Sequence, residues 1–136
     1  MTYPRATVKT IADIMTRGPL DVAPDASLAE VAAKMNERRV GAVVVLEGDT
    51  LVGILTERDI LSAVGEGRVE GSRVADCMTP HPETIDPSES TDTAATLMIH
   101  GGFRHLPVVE DGAVVGIVSI RDLMRVVLDD SAPRGV

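Results

Sequence analysis

Ile11-Ala12-Asp13-Ile14-Met15-Thr16 returns later in the chain as Val74-Ala75-Asp76-Cys77-Met78-Thr79, an offset of 63 from Asp13 to Asp76. Applied without a gap, that offset lays Pro24 on Pro87, Ser27 on Ser90 and Met35 on Met98. It also lays Val52-Gly53-Ile54 on Val115-Gly116-Ile117, and Arg58-Asp59 on Arg121-Asp122. One register held over so long a stretch marks an internal repeat, so the chain is two copies of one structural unit.

Each copy carries the same local signals. Leu20 to Val22, and Thr84 to Ile85 in the second copy, read as short extended pieces next to Pro-Asp or Pro-Ser turns. Ser27 followed by Glu30 has the spacing of a helix-opening capping box, and Leu28, Val31, Ala32 and Met35 then recur at helical spacing. Ser90 opens the equivalent helix, which Gly101 is expected to stop. Two strands follow in each copy, Ala42 to Leu46 and Leu51 to Thr56 around Gly48-Asp49, then Leu106 to Val109 and Val114 to Ser119 around Asp111-Gly112. Asp-Gly between two apolar runs is the stronger type I′ hairpin signal. A last helix begins near Arg58 or Arg121.

The expected fold is α+β: two βαββα repeats packed sheet to sheet about a pseudo-twofold axis, because one such unit alone buries too little surface. The boundaries expected within the single module 1–136 are 8–64 for the first repeat, 65–73 for a linker, 74–128 for the second repeat and 129–136 for a flexible tail. The linker segment Gly65-Glu66-Gly67-Arg68-Val69-Glu70-Gly71 superficially suggests a phosphate-binding loop. It leaves a helix instead of a strand and has one residue too many before its third glycine, so it reads as a linker.

Composition removes several function classes. The chain is 44% hydrophobic but only 1% aromatic, with Tyr3, Phe103 and no Trp, so its core must be aliphatic and it lacks platforms for stacking bases. Against 13 basic residues stand 21 acidic ones, a formal charge of −8 that repels polyanions and makes nucleic acid an unexpected partner. Cys77 has no second cysteine to pair with, no signal-peptide pattern opens the chain, and the apolar run Val43 to Leu46 is far short of a membrane span of about 20 residues. A cytoplasmic protein without membrane contact is the expectation.

The stretches VGAVVVLEGDTLVGILTERDI, Val40 to Ile60, and RHLPVVEDGAVVGIVSIRDL, Arg104 to Leu123, resemble the signature halves of two consecutive CBS domains. The likeness spans about Ile11 to Val127, nearly the whole chain. The resemblance implies a paired module with two clefts, often a homodimer, which binds AMP, ADP, ATP, S-adenosylmethionine or a related dinucleotide and regulates a partner protein. No required cofactor and no catalysis are implied.

Thr56-Glu57-Arg58-Asp59 and Ser119-Ile120-Arg121-Asp122 are the leading site candidates. A hydroxyl residue with an acid three positions on is, at its plainest, a helix N-cap. The same helix end also offers free backbone N–H groups to a phosphate, and an aspartate suits a ribose diol, so cap and ligand site can coincide. In the second repeat, Arg104 and His105 ahead of Leu106-Pro107 join Arg121 to gather positive charge. At the aligned positions the first repeat has Gly41, Ala42 and Val44, leaving Arg58 and either Arg38 or Arg39 as its nearby cations.

The resemblance further implies that the strand approach of one repeat lines the cleft of the other. Thr16 and the backbone near Asp21 and Val22 would then line the Asp122 site, and Thr79 and Thr84 to Ile85 the Asp59 site. His81, His100 and His105 are widely spaced without a matching cysteine or acid pair, so no metal site is expected, and no nucleophile with its base can be assembled. A competing reading is a ligand-independent assembly module, suggested by the aliphatic residues Leu61, Val64, Leu123 and Val127 on the last helix of each repeat.

Overall fold

The computed structural model describes residues 9–131, so Tyr3, the expected start of the first repeat at residue 8 and the last five residues of the expected tail lie outside the described residues. The elements run α1 (Ile11–Ile14), β1 (Thr16–Arg17), β2 (Asp21–Val22), α2 (Leu28–Arg38), β3 (Ala42–Glu47), β4 (Thr50–Thr56) and α3 (Glu57–Gly65). The second half repeats them as α4 (Val74–Cys77), β5 (Thr79–Pro80), α5 (Thr91–Gly101), β6 (His105–Glu110), β7 (Ala113–Ser119) and α6 (Ile120–Ser131). Among the described residues no helix is long and apolar enough to cross a membrane.

The fold is mixed α+β with two sheets, one ordered β2-β3-β4-β5 and the other β1-β7-β6. Each repeat lends its first strand to the sheet of the other. Thr16 pairs with Ile117 and Arg17 with Gly116, while Thr79 pairs with Ile54 and Pro80 with Gly53. The preceding helical turns cross over as well: Ile11 belongs to the core of the second half and Val74 to that of the first. Backbone bonds from Ile11 N to the Glu89 carbonyl and from Val74 N to the Ala26 carbonyl, both 2.9 Å, fix these crossings. Glycine makes them possible: at Gly116 a Cβ would stand 2.9 Å from the Thr16 carbonyl, and at Gly53 it would stand 3.0 Å from that of Thr79.

β-Branched runs explain the central strands. In β3, Val43 and Val45 pack on Leu28, Val31 and Met35 of α2, while Val44 on the opposite face is also buried. The two cores are aliphatic apart from Phe103, which packs at the edge of the second.

Local expectations hold with small shifts. Ser27 Oγ accepts from Glu30 N at 3.4 Å and Ser90 Oγ from Thr93 N at 3.2 Å, so both hydroxyls cap their helices. α5 takes its left-handed ending at Gly102, one residue beyond the expected Gly101. α2 ends in the same left-handed backbone on Arg39, φ 55°, where a side chain costs about 1 kcal/mol. Asp111 and Gly112 both have positive φ, as a type I′ turn needs. α6 runs on to Ser131, into the segment expected as tail. Leu123 is buried at 7% exposure, and Met124 and Leu128 take the outward face of α6.

Candidate functional site

α3 and α6 both begin with a reciprocal capping box, and this is what aims their acids. Ser119 N and Oγ donate to Asp122 Oδ2 at 2.8 and 3.0 Å, and Asp122 N donates back to Ser119 Oγ at 3.2 Å. Thr56 and Asp59 make the same three bonds in the first repeat, at 2.9, 3.1 and 3.3 Å. The cap engages one carboxylate oxygen and turns the other, Asp122 Oδ1, to a long ion pair of 3.7 Å with Arg125 Nη1. Cap and site therefore coexist on one side chain.

Asp122 is 14% exposed and lines a cavity of about 780 Å³, within the size range of small-molecule sites. The wall comes from both repeats. The second repeat contributes Ser119, Arg121, Asp122 and Arg125 from the start of α6, with His105 from β6. The first contributes Thr16 from β1, Pro19 and Leu20 from the turn after it, Val40 and Gly41 ahead of β3, and Ala42 at its start. Arg38, Arg39 and Glu57 complete the polar lining. An apolar slot of Pro19, Leu20, Val40 and Ile117 thus opens beside a carboxylate and a ring of arginines, a chemistry suited to a flat heterocycle carrying hydroxyls and an anionic or cationic tail.

Burial pulls the His105 imidazole below its ordinary pKa, against the carboxylates of Glu57 and Asp122, which favour its proton, and together with Arg104 and Arg121, which oppose it. His105 is therefore neutral near pH 7 when the cavity is empty. Gly41 leaves the space in which His105 and Glu57 converge. A Cβ there would stand 3.3 Å from Glu57 Oε1 and 3.6 Å from His105 Nε2.

Of the residues expected from sequence, the cavity wall gathers Thr16, Gly41, Ala42, His105, Ser119, Arg121 and Asp122. Gly41 and Ala42 stand here, not in a separate Asp59 cleft, and so do Arg38 and Arg39. Asp21 and Val22 themselves lie in β2, paired with Val44 and Val45, with Val22 in the first core, and the backbone just before them, Gly18 to Leu20, lines the cavity. Arg104 is exposed just ahead of β6, and its carbonyl accepts from Ile120 N at 2.8 Å. Pro107 is buried in β6 opposite Ile117.

The first-repeat set is more dispersed. Thr79 pairs with Ile54 close to the Thr56 cap, and Arg58 is exposed on α3. Thr84 lines a smaller cavity of about 390 Å³ with Thr50, His81 and Gly112 near the hairpin turns, and Ile85 is buried against Val108. Sequence reasoning missed Glu57 and Arg125. Arg125, one helical turn past Arg121, was findable from i, i+4 spacing on α6. Glu57 had no signal, because its counterpart in the second repeat is Ile120.

The family description "CBS domain" matches residues 11–66 and again residues 74–129. The chain is 34% identical over 117 residues to the CBS domain-containing protein YhcV of Bacillus subtilis, covering 85% of this chain and 84% of that protein. Among solved structures it is similar to the CBS domain pair of protein MJ0100 in complex with 5′-methylthioadenosine and S-adenosyl-L-methionine, with TM-score 0.86, 25% identity, and 91% of this chain and 99% of that one covered. The CBS domain protein PAE2072 of Pyrobaculum aerophilum, complexed with AMP, has TM-score 0.81 and 29% identity over 90% of this chain and 98% of its own. With its two matched segments, its interlocked sheets and this sequence identity, the chain belongs to the CBS-domain family and carries two CBS domains as a pair.

Proposed function

We propose that this chain is a non-catalytic, cytoplasmic sensor that holds an adenosine ligand, of the AMP, ADP, ATP or S-adenosylmethionine type, in the Asp122 cavity. The observation that carries the reading is the geometry of Asp122: its Oδ2 is held by Ser119, which leaves Oδ1 in the cavity for ribose hydroxyls beside Arg121 and His105. Ligands in MJ0100 and PAE2072 support the adenosine class. Because both repeats build the wall, a ligand that contacts both changes their relative geometry and thereby a surface read by a partner protein. Calorimetry with AMP, ADP, ATP and S-adenosylmethionine is the direct test. Saturable heat is expected for at least one of them, and silence from all four removes the reading.

The pH dependence has a definite sign. A phosphate next to His105 favours the imidazolium that burial disfavours, so binding AMP takes up a proton and tightens as pH falls from 7.5 to 5.5. His105→Gln lacks this uptake while keeping any effect of the phosphate's own titration. Over that interval native protein should gain about three- to tenfold in AMP affinity relative to the variant. Parallel pH profiles for the two proteins would exclude His105 from the phosphate end. In the empty protein the same lowered value means that stability is complete above about pH 6.5 and declines below it, because the unfolded chain takes the proton first.

Assembly is a second reading that one observation favours. Leu61 and Val64 on α3 and Met124 and Leu128 on α6 are 70%, 57%, 54% and 58% exposed, an apolar surface suited to a second copy of this chain. The expected homodimer should become monomeric in light scattering when Leu61→Glu and Leu128→Glu are combined. A monomeric native protein would discard it.

A further inference from the structure

Among the positions inside the cavity where the pseudo-twofold symmetry is broken, one adds a carboxylate. Glu57, the first residue of α3, corresponds to Ile120 at the start of α6. Only the first of these positions carries an ionisable group. Glu57 does not serve its own helix as Asp59 does; the capping box is made by Thr56 and Asp59 without it. Its carboxylate lines the cavity of the other repeat, converging with His105 over Gly41. Among the described residues its charge is not matched by a salt bridge, whereas that of Asp122 is partly offset by Arg125.

The cavity thus has unequal ends. Arg121 and Arg125 bring positive charge from α6, and Arg38 and Arg39 from the end of α2, where Arg39 occupies a left-handed backbone position that glycine holds in the other repeat. At the His105 corner the carboxylates of Glu57 and Asp122 stand against Arg104 and Arg121, with Glu57 adding its negative charge from the first repeat. An anionic tail that extends into this corner meets the repulsion of the Glu57 carboxylate, which salt screens only in part at such short range. A short or positively charged tail meets no such opposition.

We propose that Glu57 is a specificity determinant of the Asp122 cavity, limiting the negative charge its ligand carries and favouring a nucleoside monophosphate or a sulfonium nucleoside over a nucleoside triphosphate. This rests on the adenosine-ligand reading above and deepens it. The determinant comes from the first repeat although the ribose contact comes from the second.

The test is a charge series on native protein and Glu57→Gln, by calorimetry at pH 7.5, fixed ionic strength and without magnesium. Adenosine is the uncharged reference, AMP and ATP add negative charge, and S-adenosylmethionine supplies the cation. The variant should leave adenosine within about twofold, tighten AMP by about two- to fivefold and ATP by about five- to twentyfold, and weaken S-adenosylmethionine by about two- to fivefold. A change of equal size for every ligand, or none for any, overturns the proposal while leaving the binding site itself standing. If native protein binds none of the four, both this inference and the reading beneath it fall. Because Glu57 is exposed and outside the cap, the thermal midpoint of the variant should equal that of the native protein, which keeps a folding defect from imitating the result.

Discussion

Asp122→Ala should lower affinity for the bound adenosine ligand about ten- to a hundredfold, the value of one or two charge-assisted hydrogen bonds to a ribose. The substitution also removes the acceptor for Ser119 N and Oγ, so it should cost about 1 kcal/mol of stability as well. The repeat supplies its own control for that second effect. Asp59→Ala deletes an acceptor with the same partners, Thr56 N at 2.9 Å and Thr56 Oγ1 at 3.1 Å, in a helix of the same kind. Both variants should show similar drops in thermal midpoint, while the affinity of the Asp122 cavity collapses only in the first. Equal heats for Asp122→Ala and native protein would leave Asp122 as a cap and nothing more.

Gly116→Ala should be strongly destabilising, and it should reach the site through the fold. Its Cβ would stand 2.7 Å from Met15 Sδ and 2.9 Å from the Thr16 carbonyl. The sulfur can swing away, but the carbonyl belongs to the backbone of β1, which Thr16 and Arg17 hold against β7. Accommodating one methyl therefore means moving a strand, at about 2 to 3 kcal/mol, or a fall of about 5 to 10 °C in thermal midpoint. Because Thr16 lines the Asp122 cavity, the surviving folded protein should also bind more weakly. Gly53→Ala creates the equivalent clash, with Met78 Sδ and, at 3.0 Å, with the Thr79 carbonyl, in the other sheet. It should destabilise comparably and leave the cavity affinity alone. Matching thermal midpoints for Gly116→Ala and native protein would mean that the crossing of β1 tolerates a side chain.

The readable parts of this protein were those written in short-range chemistry. Ser27 and Ser90 as caps, Asp111-Gly112 as a hairpin turn and the hydroxyl-to-aspartate spacing at Thr56 and Ser119 depend on residues three or four apart, so neighbours in sequence are neighbours in space. Small errors arose where a local rule allows two adjacent solutions, as at Gly101 and Gly102, either of which can end a helix. On α6, Leu123 and Met124 are adjacent apolar residues, and periodicity alone does not decide which of them faces the core.

Within the site, the sequence also exposed the side chains of the second repeat, because Ser119, Arg121 and Asp122 share one helix start. What it misplaced were contributions from the first. The backbone before Asp21 does line the cavity, through Gly18 to Leu20, but Arg38, Arg39 and Gly41, expected near Asp59, share that wall with Asp122. Glu57 was invisible for the same reason: nothing in its own neighbourhood distinguishes it from an ordinary charge in a first helical turn.

The amino-acid sequence by itself determined that there are two copies of one unit, where their helices and hairpins begin, and which carboxylates are held at helix starts, because all of these are settled by hydrogen bonds and periodicities a few residues long. Only the tertiary structure decided that each copy surrenders its first strand to the other, and hence which residues share a cavity. Those choices rest on close packing at Gly53 and Gly116 and on burial shared between the sheets, which are properties of chain segments far apart in sequence, as with Thr16 against Ile117, rather than of any one segment.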